Sequence, residues 1–137
     1  MKTFFDSSAF AKRYIRETGS QAVDTLSIAA TELALSVVCL PEVLSALNRR
    51  VRERNLTAQQ YDTAKENLFE DIRDAVIVNL TPDVILTCTI ILEASPVRAM
   101  DALHIACAVQ WGAELFVSAD KRQVFAARRA GLQTRLA

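Results

Sequence analysis

The sequence predicts an α/β fold, a three-layer α/β/α sandwich around a mostly parallel five-stranded sheet, and three observations carry that expectation. Short apolar stretches alternate with longer helical patterns along the whole chain, often with two helices between strands. The connections between strand candidates are too long for hairpins, so consecutive strands need crossovers and run parallel. Helix-start signals, Pro residues and Ser or Thr caps, recur between the strand candidates.

Lys2 to Phe5 is apolar, ends at an acid and reads as the first strand. Ser7 to Arg16 reads as a helix with a mixed apolar face. Ser20 is expected to cap a second helix reaching about Ala30. Leu33 to Cys39 is a buried-strand candidate, followed by Pro41 at an expected first helical position and a helix to about Arg54. Thr57 and Gln60 form a capping box that opens a long amphipathic helix to about Arg73. Ala75 to Val78 reads as a third strand, and Thr81 with Pro82 starts a helix to about Glu93. A helix from about Ala99 to Gln110 is closed by Gly112, Glu114 to Val117 reads as a fourth strand, and Asp120 to Arg129 as a helix. Gly131 stops it before a short final strand, Leu132 to Arg135. No repeat or linker divides the chain, so residues 1–137 are expected to form one domain.

Composition excludes several classes. Half of the 137 residues (51%) are apolar, enough for an ordinary core, yet no apolar run approaches the ~20 residues of a membrane span. The longest, Val84 to Leu92, is interrupted by Thr87, Cys88 and Thr89. No signal peptide precedes Asp6, and the protein is expected to be soluble and cytoplasmic. Cys39, Cys88 and Cys107 form no CxxC pair, which argues against a disulfide framework or a zinc knuckle and for buried thiols. The formal charge of zero excludes a general nucleic-acid magnet. Charges are nevertheless clustered: Arg49, Arg50, Arg52 and Arg54; Lys121, Arg122, Arg128 and Arg129; and an acidic stretch from Asp62 to Asp74 that reads as a solvated helix face.

Four acids stand in related contexts. Asp6 follows the first strand, Glu42 and Asp101 lie in first turns of helices, and Asp120 follows the fourth strand through Ser118-Ala119. The carboxyl ends of parallel strands share one edge, where ligands bind, so Asp6, Glu42 and Asp120 should gather there, with Asp101 joining from its helix. Clustered carboxylates raise one another's pKa unless a cation is present. With no Cys or His pairs among them, they point to Mg2+ or Mn2+, one or two ions able to polarise a phosphodiester and activate water. Taken singly, each acid also fits a capping role at a helix start, as Asp24 and Asp83 do.

At these residues the sequence resembles the PIN domain, and in particular the VapC-like toxins of bacterial toxin–antitoxin pairs. The matching segments are Phe4-Phe5-Asp6-Ser7-Ser8-Ala9, Glu42 with the helix Val43 to Arg49, Arg98 to Ala106 around Asp101, and Leu115 to Arg122 around Asp120. They occur in the family's order, with separations of 36, 59 and 19 residues between acids. The resemblance implies a three-layer fold with a five-stranded parallel sheet and Mg- or Mn-dependent hydrolysis of RNA. It carries over Asp6, Glu42, Asp101 and Asp120 as catalytic metal ligands, direct or through water, and Ser8 and Ser118 as the hydroxyls that orient them. It also implies a cognate VapB-like antitoxin and a homodimer, with the N-terminal helices as plausible contacts. Where the family often has a further acid after the last ligand, this chain has Lys121-Arg122-Gln123, which bears on a second ion.

Asn48, Arg49, Arg98, Lys121 and Arg122 are candidate RNA contacts, each with a surface-charge reading beside it. His104, the only histidine, reads as a packed or hydrogen-bonded structural residue rather than a ligand. Two alternatives to an endoribonuclease stay open: a non-catalytic PIN-like binding module, and a phosphoacceptor signalling domain. The latter wants adjacent acids near the first strand, a lone phosphorylatable Asp at the middle strand and a late Lys; here only Asp6 ends the first strand, and Asp101 opens a helix.

Overall fold

A computed structural model describes residues 1–137. Its strands, β1 (Lys2–Phe5), β2 (Glu32–Ser36), β3 (Val76–Val78), β4 (Leu115–Ser118) and β5 (Thr134–Leu136), form one wholly parallel sheet in the order β3-β2-β1-β4-β5. Seven helices surround it: α1 (Ser7–Phe10), α2 (Ser20–Ala29), α3 (Cys39–Arg52), α4 (Ala58–Asp74), α5 (Pro82–Ala94), α6 (Ala99–Trp111) and α7 (Lys121–Arg129). No helix is long and apolar enough to cross a membrane.

The period-two geometry of strands makes the layers. Phe4, Ala34 and Phe116 point to one face and pack with Val84, Ile91, Ile105 and Ala127 of α5, α6 and α7. Their chain neighbours Phe5, Leu35 and Val117 point to the other and pack with Ala9, Val23, Val43 and Leu68 of α1 to α4. Both faces are covered, and accordingly the central strands carry apolar residues at consecutive positions. The chain lays β2 and β3 on one side of β1, then returns to place β4 and β5 on the other. The crevice at the carboxyl ends of β1 and β4 is therefore a topological switch point.

Several boundaries differ from the sequence expectation for identifiable reasons. The first helix stops at Phe10 and tightens into a 3-10 turn, Ala11–Arg13. That turn lets Tyr14 donate to Asp71 Oδ2 on α4 at 2.6 Å and sets Arg13 between Asp24 and Asp71. Ser20 is not the cap of α2. Gly19 holds that position at φ 96°, while the Ser20 hydroxyl accepts from Glu17 N and donates to Ile15 O. A Cβ on Gly19 would stand 2.8 Å from the Ala137 carbonyl carbon, so glycine is required there twice over. Cys39 opens α3 instead of ending β2, which puts Pro41 third in the helix, still among the residues whose N–H has no intrahelical partner. The capping box of Thr57 and Gln60 is present with both of its hydrogen bonds. All three cysteines are free and buried.

Candidate active site at the carboxyl edge of the sheet

Asp6 ends β1 at the switch point and is 1% exposed. It caps α1: Oδ1 accepts from Ala9 N at 2.9 Å and from Ser8 Oγ at 2.8 Å. Oδ2 accepts from Ser118 Oγ, at the end of the adjacent β4, at 2.6 Å. Burial raises the Asp6 carboxyl above its ordinary range, and the hydrogen bonds from Ser118, Ala9 and Ser8 only partly oppose it. Asp6 enters none of the chain's ion pairs. A buried acid without a cationic partner is costly, and such groups concentrate at functional sites.

Ser8 and Ser118 are the hinge pins of this arrangement. Ser8 Oγ also accepts from Ala119 N at 3.1 Å, and Ser118 Oγ accepts from Asp120 N at 3.0 Å, which ties the loop bearing Asp120 to Asp6. Asp120 itself caps α7 by accepting from Arg122 N at 2.9 Å. Asp6 and Asp120 each cap a helix while standing at the carboxyl ends of adjacent strands, so capping does not remove them from the candidate site.

Glu42 reaches the same edge from the first turn of α3. Its Oε1 accepts from Ser7 Oγ at 2.7 Å and meets His104 Nε2 of α6 at 2.5 Å. Burial pushes the Glu42 carboxyl up, but the bonds from His104 and Ser7 outweigh it and hold the group below its ordinary value. Cys39 lies beneath, its thiol pushed up to about 12 by burial, and so adds no charge at neutral pH. Asp101 stands three residues before His104 on α6, with Arg98 Nε 3.3 Å from its Oδ2, and its backbone carbonyl accepts from Gln123 of α7.

The structure therefore joins Asp6, Ser8, Ser118 and Asp120 in one hydrogen-bonded group, and Glu42 with Ser7 and His104 in a second beside it. Ser7 and His104 were not among the residues expected in the site. No three His, Cys, Asp or Glu side chains stand close enough together to form a ready cation cage. The donor chemistry nonetheless suits a hard divalent ion: all four acids offer carboxylate oxygens, Glu42 Oε2, Asp101 Oδ1 and Asp120 Oδ2 accept no hydrogen bond, and the buried Asp6 enters no ion pair. Among the candidate RNA contacts, Arg98 is exposed beside Asp101, and Lys121 and Arg122 are exposed beside Asp120. Arg49 is exposed further along α3. Asn48 is committed to Leu44 O and Tyr61 Oη, joining α3 to α4. A groove of about 610 Å3 between the Arg13–Arg16 segment and α4 includes none of the four acids.

Comparison with known proteins places this geometry in a wider setting. The PIN domain model matches residues 3–130. Ribonuclease VapC45 of Mycobacterium tuberculosis is 33% identical over 131 residues, covering 93% of this chain and 90% of that protein. Among solved structures, the sarcin-ricin loop cleaving toxin VapC20 of Mycobacterium tuberculosis superposes with a TM-score of 0.69 at 18% identity, covering 95% of each chain. A toxin–antitoxin complex from Klebsiella pneumoniae contains a chain matching at TM-score 0.67 and 12% identity, with 88% of each chain covered.

Proposed function

Because the chain belongs to the PIN-domain family, we propose that it is a metal-dependent endoribonuclease of the VapC type, hydrolysing RNA phosphodiester bonds. The observation that supports this most is the buried, cation-free Asp6 fixed by Ser8 and Ser118 at the switch point, with Asp120 tied to it. Asp6, Glu42, Asp101 and Asp120 are the residues that would hold Mg2+ or Mn2+. Such an ion supplies Lewis-acid polarisation of the phosphoryl group and a lowered pKa for the attacking water. The chain's own contributions follow from its hydrogen bonds. Ser8 and Ser118 keep the Asp6 carboxylate in one orientation. Glu42, held below its ordinary pKa, stays an acceptor at neutral pH. Arg98, Lys121 and Arg122 flank the acids as exposed cations that suit backbone phosphates, contacts that position RNA without reading its sequence.

The test is Asp101→Asn. It abolishes RNA cleavage while leaving the circular dichroism spectrum and melting midpoint essentially unchanged, because Asp101 is held only by an exposed Arg98 contact. Cleavage at the wild-type rate by this variant would remove Asp101 from the site. A second reading, an inert PIN-like module, draws on the lack of a ready three-ligand cluster. Stabilisation of the protein by Mn2+ in a thermal-shift titration favours the nuclease, and none favours the module.

A VapB-like antitoxin, a homodimer and a cytoplasmic location complete the proposal. Exposed apolar residues suitable for a second copy include Leu86 (63% exposed) and Ile90 (60%), one turn apart on α5, and Ile28 (84%) on the N-terminal helix α2. Light scattering should give the mass of two chains, and capture from the native host should recover a small partner encoded beside this chain. A monomer that recovers no such partner would defeat both assignments.

A further inference from the structure

His104 is the one buried side chain at the edge whose chemistry is not accounted for by packing. It is 2% exposed, its Nδ1 has no hydrogen-bond partner, and all of its bonding is concentrated on Nε2. Nε2 meets Glu42 Oε1 and lies 3.1 Å from Ser7 Oγ, which itself donates to the same Oε1. A carboxylate only accepts, so Nε2 carries the proton, and the Ser7 hydroxyl spends its single proton on Glu42. Three groups brought together from α1, α3 and α6 thus close a triangle on one carboxylate oxygen, while Oε2 accepts nothing.

We propose that His104 is a positioning residue: its Nε2–H, together with the Ser7 hydroxyl, clamps Glu42 by Oε1 and leaves Oε2 as the single oxygen available to a cation or substrate. The consequence is that Glu42 acts through one oxygen in a fixed orientation, never as a two-oxygen ligand. Partners that orient a ligating carboxylate typically contribute 10–100-fold to metal affinity or activity. The cation arm of this inference rests on the ribonuclease reading; the clamp itself does not.

The experiment separates the two. Since the chain has a single histidine, its imidazole nitrogens are assigned without ambiguity in a long-range proton–nitrogen spectrum of the metal-free protein. The clamp predicts a protonated Nε2 whose resonance moves in Glu42→Gln and in Ser7→Ala. An unprotonated Nε2, or a resonance indifferent to both substitutions, overturns it whatever the enzyme does. Mn2+ titration by calorimetry then reads the consequence. His104→Leu weakens Mn2+ binding about 10–100-fold, and His104→Gln, whose side-chain amide N–H reaches toward the same oxygen, recovers most of it. Ser7→Ala, on a half-buried residue that the core does not need, is expected to lose affinity in the same direction. A His104→Gln variant as impaired as His104→Leu would assign the residue to packing and overturn the proposal. Wild-type protein with a protonated, Glu42-coupled Nε2 but no Mn2+ affinity would contradict the nuclease reading and leave the clamp standing.

Discussion

Replacing Asp6 by Asn is expected to abolish RNA cleavage and, at the same time, raise the melting temperature of the metal-free protein. The two effects have one cause. Asp6 is a carboxyl buried at the switch point without an ion-pair partner, so its charged form is useful to a site that binds a cation and costly to a fold that does not. The neutral amide keeps the shape and can still accept from Ser8 and Ala9. Activity falls ~100-fold or more, beyond the effect of removing a partner that merely orients a ligand. The midpoint rises by several degrees, because ~1 kcal/mol moves it by ~4 °C in a domain of this size.

The pH dependence has a definite sign. The folded-state pKa of Asp6 lies above the ordinary 3.8, so the folded protein retains a proton that the unfolded chain has lost. The Asp6 contribution therefore lowers stability as pH rises from about 3.8 through the folded-state value, and then levels off. Glu42 acts oppositely: held below 4.5 in the fold, it contributes stability that is lost as pH falls through its folded-state value. Comparing Asp6→Asn with wild type cancels Glu42, so the midpoint advantage of the variant should be absent in strong acid and grow toward neutrality. Calorimetric melts across pH 3–8 check it. A variant less stable than wild type at pH 7 would show that Asp6 is a structural cap first.

Phe116→Ala carries the largest expected loss of stability, about 3–5 kcal/mol. The ring is fully buried, stacked on Phe4 at 5.9 Å between centroids across the β1–β4 pair, and packed under α6 and α7. Native domains have only ~5–15 kcal/mol in total, so the variant should be partly unfolded near body temperature. Phe125→Ala on α7, where the ring is 58% exposed, is the matched control and should fall within ~0.5 kcal/mol of wild type. Urea titrations of the three proteins measure the difference. Equal losses at both positions would refute the core described above. Because β4 also carries Ser118 and leads to Asp120, folded Phe116→Ala molecules should lose activity too.

The layers were legible because short apolar runs mark β1 and β4, which lead directly to Asp6 and, after Ala119, to Asp120, whereas the apolar run of β2 continues past the strand into α3. Asp6 and Asp120 could be anticipated at one edge for that reason, whereas Ser8 and Ser118 were expected from the family resemblance, and only the pairing of β1 with β4 sets the four side by side. Ser7 and His104 could not be paired from the chain, where 97 residues separate them; only the three-residue spacing from Asp101 to His104 hinted that the imidazole faces the same edge. Ser20 misled because a serine before a helix resembles a cap, whereas its hydroxyl is engaged in closing the preceding loop. The first helix misled for a different reason. Its apolar residues are pulled to α4 by Tyr14 and Arg13, a tertiary demand that local periodicity does not record.

Metal-dependent RNA hydrolysis through Asp6, Glu42, Asp101 and Asp120 is the proposed chemistry of this chain. Incubation of purified, antitoxin-free protein with total cellular RNA, in Mn2+, Mg2+ or EDTA, tests it most directly, with Asp6→Asn and Asp101→Asn alongside. Discrete fragments in either metal that vanish with EDTA and with both substitutions are the expected result. Fragments that persist in EDTA, or that both variants still produce, would contradict it.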